Sequence, residues 1–160
     1  MLRVDVVEAK RYLAGFSVDD DRSPAVGAYQ VQPFFFARNL LGVGDALGVR
    51  GGFTSGVDEG TLTYVAPLTA RGLALSTRYV NTHSKVVEAP LDQLDISAKS
   101  EAFDVGLSQP LWQALRGEIA ATATLSRRST RSYFLGEPSP FIPGAPDGKV
   151  VTAAMRFGLE

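Results

Sequence analysis

The stretch Leu62-Thr-Tyr-Val-Ala-Pro-Leu68, a short link, and then Leu73-Ala-Leu-Ser-Thr-Arg-Tyr79 sets the reading of the whole chain. Leu62, Tyr64, Ala66 and Leu68 alternate with Thr63 and Val65; Leu73, Leu75, Thr77 and Tyr79 alternate with Ala74, Ser76 and Arg78. A period of two marks a strand with unlike faces, and two such runs across a turn containing Gly72 read as an antiparallel hairpin. The rhythm continues upstream. Leu47, Val49, Gly51 and Phe53 oppose Ala46, Gly48, Arg50 and Gly52. Tyr29, Val31, Pro33 and Phe35 alternate with Gln30, Gln32 and Phe34, blurred by the run Phe34–Phe36, and Tyr12, Ala14, Phe16 and Val18 alternate with Leu13, Gly15 and Ser17. Downstream, Phe103, Val105 and Leu107 face away from Asp104, Gly106 and Ser108. Ile119, Ala121, Ala123 and Leu125 oppose Glu118, Thr122, Thr124 and Ser126, and Val151, Ala153, Met155, Phe157 and Leu159 oppose Thr152, Arg156 and Gly158. About eight candidate strands result, and no helical stripe of comparable length appears. Ala98–Phe103 and Leu111–Leu115 are each read as one helical turn at most.

The links alternate in length. Arg38–Gly44, Ala66–Gly72 and Gln109–Gly117 are tight; Asp19–Ala25, Thr54–Gly60, Asn81–Ser97 and Arg128–Gly148 lie between them, the last two long and polar. Short links at one end and long polar loops at the other are the layout of an up-and-down outer-membrane barrel. A Greek-key sandwich has no reason to segregate loop length by end.

Composition excludes much else. The 160 residues carry a net charge of −1, which argues against a nucleic-acid partner, since phosphate neutralisation calls for a concentrated basic face. There is no Cys and one His, His83, so thiolate chemistry and His-based metal clusters are out. No apolar run approaches the roughly 20 residues of a spanning helix. The stretch Met1–Arg11 carries five charges and no apolar h-region, so no signal peptide is read there.

Lipid forbids unpaired backbone, so a spanning sheet must be antiparallel and closed, with strands of about 9–11 residues. The segments fit. The apolar member of each alternating pair is then assigned to lipid. The other face carries Gln30, Gln32, Arg50, Ser76, Arg78, Asp104, Ser108, Glu118, Thr122, Thr124, Thr152 and Arg156. The alternation alone does not say which side is wet, because the outside of a soluble sandwich shows the same pattern. Aromatic placement adds a reason: Phe35, Tyr64, Trp112 and Phe157 fall near the short-link rim and Phe53, Tyr79, Tyr133 and Phe134 near the other, as two interfacial belts would. A weak echo also relates Tyr64-Val-Ala-Pro67-Leu68 with Arg71-Gly72 to Leu107-Ser-Gln-Pro110-Leu111 with Arg116-Gly117. Each puts Pro at the end of a strand, where its missing N–H is tolerated.

Three motifs carry a resemblance. Phe16-Ser-Val-Asp19-Asp20, leading through Ser23 to Gly27 and Tyr29, is similar to the first barrel hairpin of the outer-membrane transporters of two-partner secretion, the haemolysin secretion/activation (TpsB-type) family, with Asp20 where the family has Asn. Asn39-Leu-Leu-Gly42-Val-Gly44-Asp45 resembles that family's link between strands two and three and is the most specific of the motifs. Tyr64-Val-Ala-Pro67-Leu68 with Gly72 resembles its next hairpin. The resemblance implies a signal peptide, a plug helix, two POTRA domains and a sixteen-stranded barrel in the bacterial outer membrane. Residues 1–160 are then a partial barrel domain, strands one to eight, without the POTRA domains and the second half of the barrel. It further implies a large secreted exoprotein, haemolysin- or adhesin-like, as partner, captured by the POTRA domains.

Side chains that bear chemistry are few. Arg50, Arg78 and Arg156 with Asp104 and Glu118 are read as a charged, lumen-facing channel wall, a mixed-sign surface over which an unfolded chain slides without sticking. Asp19–Asp21 lacks the spacing of a calcium loop and reads as an acidic turn; His83 reads as a surface-loop histidine, and Glu88, Asp92 and Asp95 as an unpaired acidic loop. Gly42 and Gly44 precede a strand rather than a helix, so no phosphate cradle is expected. No catalytic residue, metal or cofactor is expected. The fold expected is all-β, an antiparallel up-and-down transmembrane barrel segment, half of a sixteen-stranded barrel. Self-association through open strand edges is expected to accompany it. Two other classes stay open on sequence: a closed eight-stranded structural outer-membrane barrel, and a soluble barrel or sandwich that binds a ligand.

Overall fold

A computed structural model describes residues 10–115, 117–139, 145 and 147–159. They form one antiparallel sheet of β1 (Tyr12–Asp19), β2 (Gln30–Arg38), β3 (Ala46–Phe53), β4 (Val57–Pro67), β5 (Ala74–Lys85), β6 (Ser97–Ala114), β7 (Gly117–Phe134), the two-residue β8 (Glu137–Pro138) and β9 (Lys149–Leu159). Neighbours follow chain order, and β8 and β9 share the far edge of β7. The end strands β1 and β9 do not pair with each other. Single 3-10 turns sit at Pro24–Val26 and Leu91–Leu94.

The sheet is one layer, and it has almost no interior. The buried apolar side chains among the described residues are Ala37, Val57, Ala66 and Ala145. Phe16 and Phe157 stand 72% and 77% exposed. The chain exposes 11540 Å², against about 7,800 Å² for a compact monomer of its mass. A soluble sandwich would bury one face of this sheet beneath a second layer; here the face stays bare.

Register sorts the side chains cleanly, because directly paired residues in an antiparallel ladder share a face. One face carries the row Ala14, Phe35, Val49, Leu62, Tyr79 and Phe103, and below it Tyr12, Ala37, Leu47, Tyr64, Thr77, Val105, Leu125 and Met155. The triple Phe run divides between the faces. Phe35 joins the apolar side, while Phe34 and Phe36 lie on the polar side over glycines. A Cβ on Gly15 would come within 2.8 Å of the Phe34 ring, so Gly there is what lets the ring lie flat.

The strands outrun their expected ends. Asn81–Ser97 and Arg128–Gly148 are not all loop: β5 continues to Lys85, β6 begins at Ser97 and β7 runs to Phe134. Thr54–Gly60 shrinks to a turn, with β4 starting at Val57. The helical turns expected at Ala98–Phe103 and Leu111–Leu115 are strand as far as Ala114. The physical reason is common to the extensions at the long-loop end. Beyond the apolar band both faces are polar, so the period-two signal vanishes while the backbone ladder goes on. A bulge between Pro110 and Trp112 also shifts the phase, so that Trp112 pairs with Ile119 on the apolar side. Arg116 of the sequence echo lies outside the described residues. The echo has a spatial meaning nonetheless: Pro67 packs on Gly44 and Pro110 on Gly72, each proline against the link before it.

Candidate functional site: the polar face, its turn and its bare counterpart

The Asn39–Asp45 link closes itself with its own polar atoms. The Asp45 carboxylate accepts the Leu41 N–H at 3.0 Å, and the Asn39 side-chain carbonyl accepts the Gly44 N–H at 2.8 Å. Asn39, Gly42 and Gly44 all adopt positive φ, at 52°, 82° and 83°, a region in which a β-carbon is strained. Asp45 is 1% exposed, the largest fully buried side chain among the described residues, and the Tyr64 hydroxyl neighbours its carboxylate. The Arg11 guanidinium donates to the Asn39 and Leu40 carbonyls at 2.6 and 3.1 Å. The four motif residues therefore build a turn that keeps its shape without help from solvent.

On the polar face the register brings Arg78 opposite Asp104 and Asp104 opposite Ser126. Arg156, paired with Thr124, reaches up to donate to the Ser126 hydroxyl at 3.2 Å. Arg50 stands between Phe34 and Thr61. Glu118 lies apart, at the short-link rim, where Gln113 donates to it at 3.2 Å. All five charged residues thus share one face, four in its middle and one at its rim. Arg78 and Asp104 face each other without closing to an ion pair.

A second polar cluster on this face was not read from sequence. Arg22 donates to Gln30 at 3.1 Å and pairs with Glu59 at 3.4 Å, and Gln32 bridges Gln30 and Asp19 at 2.7 and 3.1 Å. Gln30 is only 2% exposed. Arg22 comes from the β1–β2 loop and Glu59 from β4, so no spacing rule connects them. Asp19 is occupied in this network. Among the described residues no group of three His, Asp or Glu is placed to hold a metal ion. Two expectations need correction. His83 sits within β5, not in a loop, because the ladder continues above Tyr79. Asp95 is not unpaired: Lys85 meets it at 2.8 Å where the β5–β6 connection folds back.

The opposite face carries an apolar band whose upper edge steps down the ladder from β3 to β7. From β3 to β7 its upper edge is Phe53, Leu62, Tyr79, Phe103 and, four strand positions below Tyr133 on that face, Leu125; on β9 the edge is Val151, opposite Ser129. The residues in register with Phe53 on the later strands are Asp58, His83, Lys99 and Arg131. Strands in a spanning barrel tilt by about 35–45°, so a band parallel to the membrane must step down the ladder in this way. A surface patch shaped by protein contact has no reason to follow that diagonal.

The profile of the family described as "Haemolysin secretion/activation protein ShlB/FhaC/HecB" matches residues 1–138. None of the curated proteins matches the chain in sequence. Among solved structures, CdiB from Escherichia coli superposes with a TM-score of 0.81 at 16% identity, over 96% of this chain and 28% of that one. BamA from Haemophilus ducreyi lacking POTRA domains 1–3 gives 0.56 at 15% identity, over 95% and 29%. At these identities the likeness is one of fold, and the chain spans less than a third of either structure.

Proposed function

The chain belongs to the haemolysin secretion/activation family, ShlB/FhaC/HecB, of outer-membrane two-partner secretion transporters, and on that premise we propose that it forms part of the wall of a water-filled pore. Through that pore a large, unfolded exoprotein, haemolysin- or adhesin-like, leaves the cell. The observation that carries this reading is the oblique apolar band, because only hydrocarbon covers a tilted sheet along such a diagonal. The bare face meets lipid of the bacterial outer membrane and the other face meets water.

No bond is made or broken in this role, and no catalytic residue or cofactor takes part. The work asked of the wall is to stay wet, polar and unsticky. Arg50, Arg78 and Arg156 against Asp104 and Glu118 supply charges of both signs at spacings too loose for closed pairs, so a passing chain finds no deep well. The Asn39–Asp45 rim faces the periplasm and the longer connections face outward. POTRA domains capture the exoprotein before it enters. The edges of β1 and β9, unpaired among the described residues, each seek a strand, supplied by further barrel strands or by a second copy of this sheet.

The test has two arms. Spin labels at Val49, Leu75 and Ala123 in bilayer-inserted protein are expected to be quenched by lipid-soluble oxygen; labels that are shielded by other side chains would end the membrane reading. Planar bilayers containing the protein are expected to show stepwise conductance; silence from inserted protein would end the pore while leaving the membrane wall standing.

A further inference from the structure

Above the apolar band, on the same face, three cations stand side by side across three strands. Lys99 on β6 is directly opposite Arg131 on β7, and Arg131 is directly opposite Lys149 on β9. His83 on β5 continues the row beyond Lys99. Like charges placed opposite each other destabilise a sheet, and the carboxylates bordering the row, Glu101 and, opposite His83, Asp58, close no ion pair with any of them among the described residues. Arg127 stands four residues below Arg131 on the same face and is opposite Phe103, so it meets the upper edge of the apolar band. Lys149 stands two residues above Val151, again at that edge. His83, Lys99, Arg131 and Lys149, together with Tyr133, whose ring lies 5.9 Å from the Lys99 ammonium, border an open recess of about 480 Å³. The chain as a whole carries a net charge of −1, so this concentration is local.

The geometry points to a binding site for a phosphate-bearing lipid headgroup of the outer leaflet, held by Lys99, Arg131 and Lys149 with Arg127 below. The site rests on the membrane reading above. Two features select this ligand chemistry. The row spans two strand spacings, about 10 Å, which suits a headgroup carrying more than one phosphate better than a single small anion. It is also continuous with Phe103, Leu125 and Val151, so a ligand with acyl chains below its phosphates matches both halves of the surface at once, as basic pockets beside membrane spans do. An acidic protein or polynucleotide would use the cations and leave the adjoining apolar edge idle.

The probe is bisphosphorylated lipid A against its enzymatically dephosphorylated form, mixed with the protein in neutral detergent, with lipid retained per chain measured by native mass spectrometry. The unaltered protein is expected to retain the phosphorylated form at least tenfold better, and Arg131→Gln with Lys149→Gln is expected to abolish that preference. Arg128→Gln, adjacent in sequence but on the polar face opposite Thr152, is expected to keep it. Inorganic pyrophosphate is expected not to displace the lipid. Equal retention of both lipids, an equal loss in Arg128→Gln, or full displacement by pyrophosphate would each overturn the assignment. Should the double variant misfold, retention by the unaltered protein between 50 and 500 mM salt serves instead; a phosphate site weakens steeply over that range, and flat retention removes it. A spin label at Leu125 separates the two readings. Oxygen quenching without lipid selectivity sinks the headgroup site alone, whereas no quenching sinks the membrane wall as well.

Discussion

Val49 and Arg50 are consecutive residues of one strand, and they stand on opposite faces of the sheet, which the proposed function assigns to different solvents. Val49 lies between Phe35 and Leu62 on the bare face, and Arg50 between Phe34 and Thr61 on the polar one. Both are exposed to a degree that would make them ordinary surface residues in a globular protein. The comparison teaches that exposure alone says nothing about environment in a single-layer sheet; the row a residue belongs to does. It also explains how a charge survives near the greasy side. Asp45 precedes β3 in the phase of Leu47 and Val49, yet its oxygens are filled by the turn it closes.

The largest break in this contrast is expected from Val49→Arg. It should destabilise the bilayer-inserted protein by about 2–4 kcal/mol, read from urea titration of Trp112 fluorescence, whereas Ser17→Arg on the other face, opposite the neutral Gln32, should stay within about 0.5 kcal/mol. Equal losses would erase the distinction between faces. Next comes Asp45→Ala, which strands the Leu41 N–H and should cost about 1–3 kcal/mol by the same titration; a neutral result would mean the turn is not held by its carboxylate. Gly44→Ala forces a β-carbon into positive φ and should cost about 1–2 kcal/mol, with no contact to blame, since the nearest atom to that β-carbon is Pro67 Cγ at 3.7 Å. The smallest effect on stability belongs to Arg50→Ala, within about 0.5 kcal/mol. Its signature is instead a reversal potential shifted toward cation preference in planar bilayers, and an unchanged potential would take Arg50 out of the conducting wall.

Much of this fold was legible, for a reason that also sets the limit. Where the two faces meet different media the sequence alternates, and β3 is found where the alternation put it, Ala46–Phe53. Past Tyr79 on β5, the alternating sides are Val80, Thr82 and Ser84 against Asn81, His83 and Lys85. Both suit water, so hydrophobicity carries no phase although the backbone pairing is intact. Arg50, Arg78, Asp104 and Arg156 could be placed on one face by counting in twos. The Arg22–Glu59 pair could not, because a folded loop rather than a strand delivers Arg22. Nor could the phase of Trp112, because one unpaired residue at Leu111 is invisible to a count that assumes an unbroken ladder. The basic row escaped for a related reason: Lys99, Arg131 and Lys149 are neighbours only once the register is known.

The connections at the end opposite Asn39–Asp45 hold one another. The Val26 carbonyl accepts both the Thr54 hydroxyl and the Gly56 N–H, the Ala25 carbonyl accepts the Val87 N–H, and the Gly56 carbonyl accepts the Lys85 N–H. Leu135 beyond β7 donates in turn to Leu94. Three hairpin tips and the start of a fourth are thereby sewn into a single hem. A force applied to any one tip is shared by its neighbours, so this mouth yields as a stiff lip, all of it or none, rather than as a fringe of separate threads.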